Sequence, residues 1–185
     1  MAESIHYMRH GKTEDLTLGV RSRTTTPLTE EGRGEAETAA NTIVAEGLTF
    51  DEIIRSPLPR AQQTAEIVAK RLGYPIDQIQ ILGDLQERRW GEAEGVLNSI
   101  VQERWPGGFD TVPGAETEAA LLIRAETVYR RLLQRPGRLL VVGHGTLGRA
   151  IRDVAHGMAG QNDFNAESGK IPTAGVLQLH PRPQK

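Results

Sequence analysis

Residues 4–13 read Ser4-Ile5-His6-Tyr7-Met8-Arg9-His10-Gly11-Lys12-Thr13. An apolar-rich run of strand length ends in Arg-His-Gly, and the glycine turns the chain. An arginine and a histidine therefore stand side by side at the carboxyl end of a strand, where open α/β sheets bind their ligands. A guanidinium offers phosphate a planar fork of donors, and a neutral imidazole is a competent nucleophile. Taken alone, the stretch fits an ordinary strand end with two solvated polar residues equally well. The rest of the chain decides between them.

Outward from this strand, residues 13–28 are polar and broken up, with Arg21, Arg23 and three consecutive threonines, and read as a loop. Thr29 then caps a helix in which Ala36, Ala39, Ala40, Ile43 and Val44 share a face, with Gly32 tolerated early and Gly47 as the stop. A second strand over residues 50–55 centres on Ile53 and Ile54. It ends at Ser56-Pro57-Leu58-Pro59, whose prolines suit a turn and a first helical position. The helix that follows carries Ala61, Ala65, Val68 and Leu72 on one face and closes at Gly73. Residues 79–82 form a third strand.

The clearest helix spans residues 116–134, with an apolar stripe of Leu121, Leu122, Ala125, Val128, Tyr129, Leu132 and Leu133. Pro136-Gly137 breaks it. Residues 138–143 contain Leu-Leu-Val-Val, the near-continuous apolar pattern of a strand covered on both faces. That strand runs into Gly143-His144-Gly145 and a helix over residues 146–156. A last strand covers residues 175–180, stopped by Pro181 and Pro183. Strands alternating with helices predict a single-domain α/β protein. Its expected form is a three-layer sandwich, a mostly parallel central sheet with helices on both faces. Arg9-His10, Ser56 to Arg60 and Gly143-His144-Gly145 then fall at the same edge of that sheet.

Residues 83–114 are the least regular part. They hold both tryptophans, Trp90 and Trp105, and the acidic residues Glu87, Glu92 and Glu94, with a short helix over residues 96–104. A connection this long in a compact domain reads as a lid or binding loop.

Composition narrows the partners. The 185 residues are 25% charged and 38% hydrophobic with a net charge of -2, so no overall positive field holds nucleic acid or an anionic membrane. The chain has no cysteine, which excludes disulfides, zinc-thiolate sites and cysteine nucleophiles. The start, Met1-Ala2-Glu3-Ser4, lacks the basic and apolar regions of a secretion signal, and no apolar run reaches the length of a membrane span. A cytoplasmic location is expected.

Together the motifs resemble the histidine phosphatase superfamily, also called the phosphoglycerate mutase-like family. They are Arg9-His10-Gly11, Leu28-Thr29 with Gly32, the run from Ser56-Pro57-Leu58-Pro59-Arg60 to Ala65, Leu85-Gln86-Glu87-Arg88, residues 113–117 with Arg124, and Gly143-His144-Gly145. They occur in the family's order over nearly the whole chain. The resemblance implies that His10 is the nucleophile and that Arg9, Arg60 and His144 surround the phosphoryl oxygens. It implies Glu87 as general acid and then base, with Glu14, Glu92 and Glu94 as substitutes. Ser56 and Thr13 are implied as hydrogen-bond donors lining the pocket, with Arg88 a further binding candidate. No metal or cofactor is called for.

Read singly, Arg60 is a helix-surface arginine, His144 a turn residue, Glu87 an ion-pair partner, and the two tryptophans packing residues. His6, His156 and His180 read as structural or surface residues.

Two positions depart from the family pattern. Lys12 stands where many relatives carry an acid, and would add positive charge beside the pocket. Leu16 stands where many have a phosphate-binding asparagine, a loss that Thr13 or Ser22 would make good. Residues 91–114 contain only Arg104 as a basic residue, too little to retain a doubly charged intermediate. The implied activity is therefore metal-independent hydrolysis of a small phosphate monoester, a sugar phosphate or phosphoglycerate, within one domain whose residues 83–114 set specificity. The alternatives are a phosphoglycerate mutase or phosphotransferase, a phosphohistidine protein phosphatase, and a phosphate-binding module with negligible turnover. Oligomeric state is left open.

Overall fold

The computed structural model describes residues 1–158 and 169–179. Within them lie strands β1 (Ala2–Arg9), β2 (Glu52–Arg55), β3 (Gln80–Ile81), β4 (Gly137–Gly143) and β5 (Val176–Leu179). The helices are α1 (Glu14–Thr17), α2 (Glu30–Ala45), α3 (Pro59–Leu72), α4 (Asn98–Arg104), α5 (Glu118–Leu133) and α6 (Gly145–Ala155). The sheet order is β3-β2-β4-β1-β5; every pairing is parallel except β1 with β5. The expected mostly parallel sandwich is the observed one. His180, Pro181 and Pro183 lie outside the described residues.

Alternation along the strands builds both cores. Ile5, Tyr7, Ile54, Leu139 and Val141 point to one face, where they meet Leu121, Ala125, Val128 and Leu132 of α5 and Leu147, Ala150 and Ile151 of α6. Met8, Ile53, Leu140 and Val142 point to the other, against Ala40 and Ile43 of α2 and Ala61, Ala65 and Val68 of α3. The central strands are buried on both faces, which is why they read as continuous apolar runs. Val44 departs from its expected place: it is 40% exposed, one step off the stripe that Ala36, Ala40 and Ile43 turn inward.

The stretch read as a loop after β1 is ordered and starts with a one-turn helix. Thr13 caps α1, its hydroxyl accepting from the Leu16 amide at 3.4 Å. The buried Asp15 carboxylate accepts from the Arg23 amide at 2.7 Å and also holds the Arg23 guanidinium and the Thr26 hydroxyl. A fully buried carboxylate needs such partners, and here it gathers the loop around itself.

At the start of α2 the chain passes so close to β1's turn that side chains are excluded. A Cβ on Gly11 would overlap the Gly32 carbonyl, and one on Gly32 would overlap the Lys12 backbone. In an isolated helix, Gly→Ala stabilises by roughly 0.5–1 kcal/mol. Here the sign reverses, because backbone cannot rotate out of the way. Gly32→Ala is expected to destabilise by about 3 kcal/mol and to lower the thermal midpoint by about 6–12 °C, measured by calorimetry.

Candidate active site

The site forms where β1, β2 and β4 end. Arg9 and His10 leave β1, Ser56 follows β2, and His144 follows β4. Arg60 stands in the first turn of α3, behind Pro59 at the first helical position. The parallel register of β1, β4 and β2 brings these ends to one edge.

His10 is 2% exposed, and its Nδ1 lies 2.7 Å from the Gly11 carbonyl oxygen. A carbonyl only accepts, so Nδ1 carries the proton and Nε2 presents a lone pair. The Arg60 Nε donates to that Nε2 at 3.2 Å, while one Arg60 terminal nitrogen donates to the Arg23 carbonyl at 2.7 Å. Asp15 thus fixes Arg23, and Arg23 fixes Arg60. Burial, followed by the Arg60 and Arg9 charges, holds His10 well below the usual imidazole range. It is a neutral base in a cationic setting.

His144 is fully buried with its ring edge-on to His10, centroids 5.2 Å apart. Its backbone is clamped by Tyr7. The phenol accepts from the His144 amide at 2.7 Å and donates to the His144 carbonyl at 2.9 Å. Burial and nearby positive charge hold this imidazole neutral as well. Its Nε2 lies 2.7 Å from the Ser56 hydroxyl, which also accepts from the Leu58 amide at 3.3 Å. After accepting from Leu58, Ser56 keeps its O–H and a second lone pair, so it bonds Nε2 in either tautomer of His144. The His144 Nδ1 has no partner among the described residues.

Arg9 and Arg60 are largely withdrawn from water, and neither has a carboxylate within ion-pair distance among the described residues. Arg9 donates to the Ile171 carbonyl at 2.7 Å, and its buried Nε has no partner among the described residues. Paired guanidinium groups of this kind are preorganised for an anion with several oxygens.

Glu87 reaches the same cavity from the irregular segment. Its carboxylate accepts from the amides of Arg88 at 2.9 Å, Leu147 at 3.0 Å and Thr146 at 3.1 Å, closing the amino end of α6. Arg124 of α5 fixes the segment by donating to the Asp84 and Gln86 carbonyls at 2.7 Å, and is itself paired with buried Glu116 at 2.6 Å.

Arg9, His10, Glu87, Leu16, Ser22 and Trp90 line a cavity of about 140 Å³. Three further cations line it that sequence reasoning did not select: Arg21, Arg149 and Lys170. Arg21 and Arg149 carried only a weak signal, an arginine in a polar loop and one a turn into the helix after His144.

Other expected contributors are placed differently. Thr13 is spent on capping α1 and does not line the cavity. Ser56 bonds His144, and neither lines that cavity, while Arg60 lines a neighbouring one of about 260 Å³. Arg88 is tied to the Glu116 carbonyl and to Asp110, both at 2.8 Å, so its charge is engaged within the irregular segment. Lys12 does not add charge to the cavity. It pairs with Glu31 at 2.8 Å on the outer surface. Leu16 supplies apolar wall. Glu14 and Glu92 are exposed away from the cavity, and Glu94 accepts from the Thr24 amide at 2.6 Å on the same neighbouring cavity as Arg60.

Residues 83–114 have their own small core of Trp90, Ala93, Val101, Trp105, Phe109 and Val112, and their helix begins at Asn98. Arg104 lies over the Trp105 ring at 4.7 Å, so no basic group of residues 91–114 enters the cavity. Among the described residues no helix is long and apolar enough to cross a membrane.

Known proteins resemble this chain in sequence and in fold. The chain is 29% identical to a 2,3-bisphosphoglycerate-dependent phosphoglycerate mutase of Mesorhizobium japonicum, over 91% of this chain and 89% of that protein. It is 31% identical to the "uncharacterized phosphatase PhoE" of Bacillus subtilis, over 82% of this chain and 70% of that one. In fold it is similar to a mycobacterial glucosyl-3-phosphoglycerate phosphatase, with a TM-score of 0.79 at 22% identity, covering 95% and 91% of the two chains. The family model for the histidine phosphatase superfamily (branch 1) matches residues 5–184, and the chain accordingly belongs to that superfamily of enzymes acting on phosphate esters.

Proposed function

We propose that this protein hydrolyses phosphate monoesters of small metabolites through a phosphohistidine on His10. The observation that carries the reading is the His10 ring: its tautomer is set by the Gly11 carbonyl, its Nε2 lone pair accepts from Arg60, and among the described residues neither Arg60 nor the nearby Arg9 has a carboxylate partner. Nε2 attacks phosphorus, and the P–O bond to the alcohol breaks. Glu87, entering the step as the carboxylic acid, delivers the proton that the leaving oxygen needs and is left as the carboxylate. Water then attacks the phosphohistidine, Glu87 takes its proton, and phosphate departs with His10 neutral again. Dividing the displacement into two steps lowers each barrier. Arg9, Arg60 and the His144 imidazole stabilise the charge on the phosphoryl oxygens. These donors supply that stabilisation without a metal ion. Residues 83–114 act as the specificity lid, with Trp90 as their wall on the cavity.

A second reading, a phosphoglycerate mutase, is favoured by one observation. The positive charge missing from the lid enters the cavity from Arg21, Arg149 and Lys170. Relatives named as phosphoglycerate mutases point the same way.

One assay separates the two. Phosphate release is measured in EDTA from p-nitrophenyl phosphate, sugar phosphates, phosphoglycerates and a phosphohistidine peptide. Isomerisation of 3-phosphoglycerate is followed in parallel with and without 2,3-bisphosphoglycerate. Release that persists in EDTA is the expected result. Isomerisation dependent on bisphosphoglycerate, with no net release, replaces hydrolysis by the mutase reading.

A further inference from the structure

Arg21 has no role in the phosphoryl chemistry above, yet the fold takes care to place it. Its amide donates to the Val96 carbonyl at 2.9 Å, and its carbonyl accepts from the Gly95 amide at 2.8 Å, so its backbone is zipped to the lid. Its guanidinium lies 4.8 Å from the Trp90 ring centroid and 4.4 Å from that of Phe109. The same two rings face Arg88 at 5.7 and 5.3 Å. Two cations therefore share one aromatic pair, but only Arg88 has a carboxylate, Asp110.

Arg21 forms no ion pair among the described residues, and its Nε is buried without a partner. Burial lowers its pKa to about 10, with Arg88 and Arg149 adding to the shift against Glu87. Aromatic faces offset part of the cost of withdrawing a cation from water, but only part. A guanidinium in this position is poised to gain from an anion, and it lines the cavity that holds Arg9 and His10.

We infer that Arg21, held against Trp90 and Phe109, binds a second anionic group of the substrate, a carboxylate or a further phosphate, while Arg9 and Arg60 hold the phosphoryl group being transferred. The inference rests on the phosphate ester reading and narrows it. Substrates with two anionic groups are selected over neutral-bodied ones, and Arg21 is the residue that selects.

The test compares pairs that differ in the second charge: 3-phosphoglycerate with glycerol 3-phosphate, and fructose 1,6-bisphosphate with fructose 6-phosphate. The parent is expected to favour the doubly anionic member of at least one pair about 10- to 100-fold in kcat/KM, the scale of a charge-assisted hydrogen bond. The pair that responds tells carboxylate from phosphate. In Arg21→Gln that ratio falls toward one. In Arg21→Lys it falls several-fold, since an ammonium lacks the planar fork, and this variant decides the matter should Arg21→Gln fail to fold. An even ratio for both pairs in the parent, or a ratio unchanged in the variants, overturns the inference.

Binding keeps this separate from the phosphatase reading. Both tryptophans of the chain belong to the lid core, so their fluorescence reports occupancy. Phosphonoacetate, methylenebisphosphonate and ethylphosphonate are titrated into parent and Arg21→Gln proteins, with ligand-free buffer as the blank. Tighter binding of phosphonoacetate or of methylenebisphosphonate than of ethylphosphonate by the parent, lost in the variant, upholds a carboxylate or a phosphate subsite respectively, even if no ester turns over. If neither ester pair turns over, equal binding of ethylphosphonate, phosphonoacetate and methylenebisphosphonate by the parent overturns the inference.

Discussion

Replacing His10 by alanine is expected to lower kcat for phosphate ester hydrolysis by on the order of 10⁶-fold, the scale seen when a covalent catalyst loses its nucleophile. Nothing nearby can take over. The other imidazole at the site, His144, turns Nε2 toward Ser56 and has its backbone fixed by Tyr7. Brief incubation with a labelled ester and quenching in base should trap an acid-labile phosphoryl group on the parent and none on His10→Ala. Equal labelling of both proteins would move the nucleophile elsewhere.

The same histidine sets a pH dependence. Burial and the Arg60 and Arg9 charges keep its folded pKa well below the ordinary 6.5. The nucleophile therefore stays neutral at pH 6.5, and the acid limb of kcat/KM falls below that value. His144 shifts in the same direction. On unfolding, both imidazoles regain pKa values near 6.5 and bind protons that the native state does not. Their contribution to stability is thus full above pH 6.5 and is lost as pH falls from there toward the folded values.

Arg60→Ala should cost about 10²–10³-fold in kcat/KM, the effect of removing one preorganised donor from a developing anion. It should also move the acid limb upward, toward pH 6.5. The Arg60 charge depresses His10 more than the Arg9 charge does, so its loss makes the imidazole easier to protonate. A residue that merely packed α3 would lower stability without moving that limb. Arg60→Lys should rescue poorly. The Nε contact to His10 and the terminal contact to the Arg23 carbonyl come from one planar group, which an ammonium cannot span.

The layers of the fold could be read because burial on two faces leaves a plain signature. Leu139 to Val142 are all apolar and all fully buried, with alternate residues feeding opposite cores. The Pro59 start of α3 and the Thr29 and Thr117 caps of α2 and α5 lie where local chemistry puts them. The 13–28 loop hid its order because the organising group, Asp15, acts through partners eight and eleven residues away. Lys12 misled for a similar reason: adjacency to His10 in the chain says nothing of direction, and its ammonium goes to Glu31.

By itself the sequence determined the alternation of strands and helices, the sheet they imply, and the strand ends at which Arg9, His10, Ser56 and His144 emerge. Those are local matters of period, capping and turn chemistry. Tertiary structure alone decided what the polar residues are for. It turned Thr13 into a cap, joined Ser56 to His144, and bound Arg88 to Asp110. It carried Arg21 from a featureless loop into the cavity, against two rings of the lid. The charge state of His10 belongs to the same class, because it follows from burial and from guanidinium groups that distant parts of the chain bring beside it.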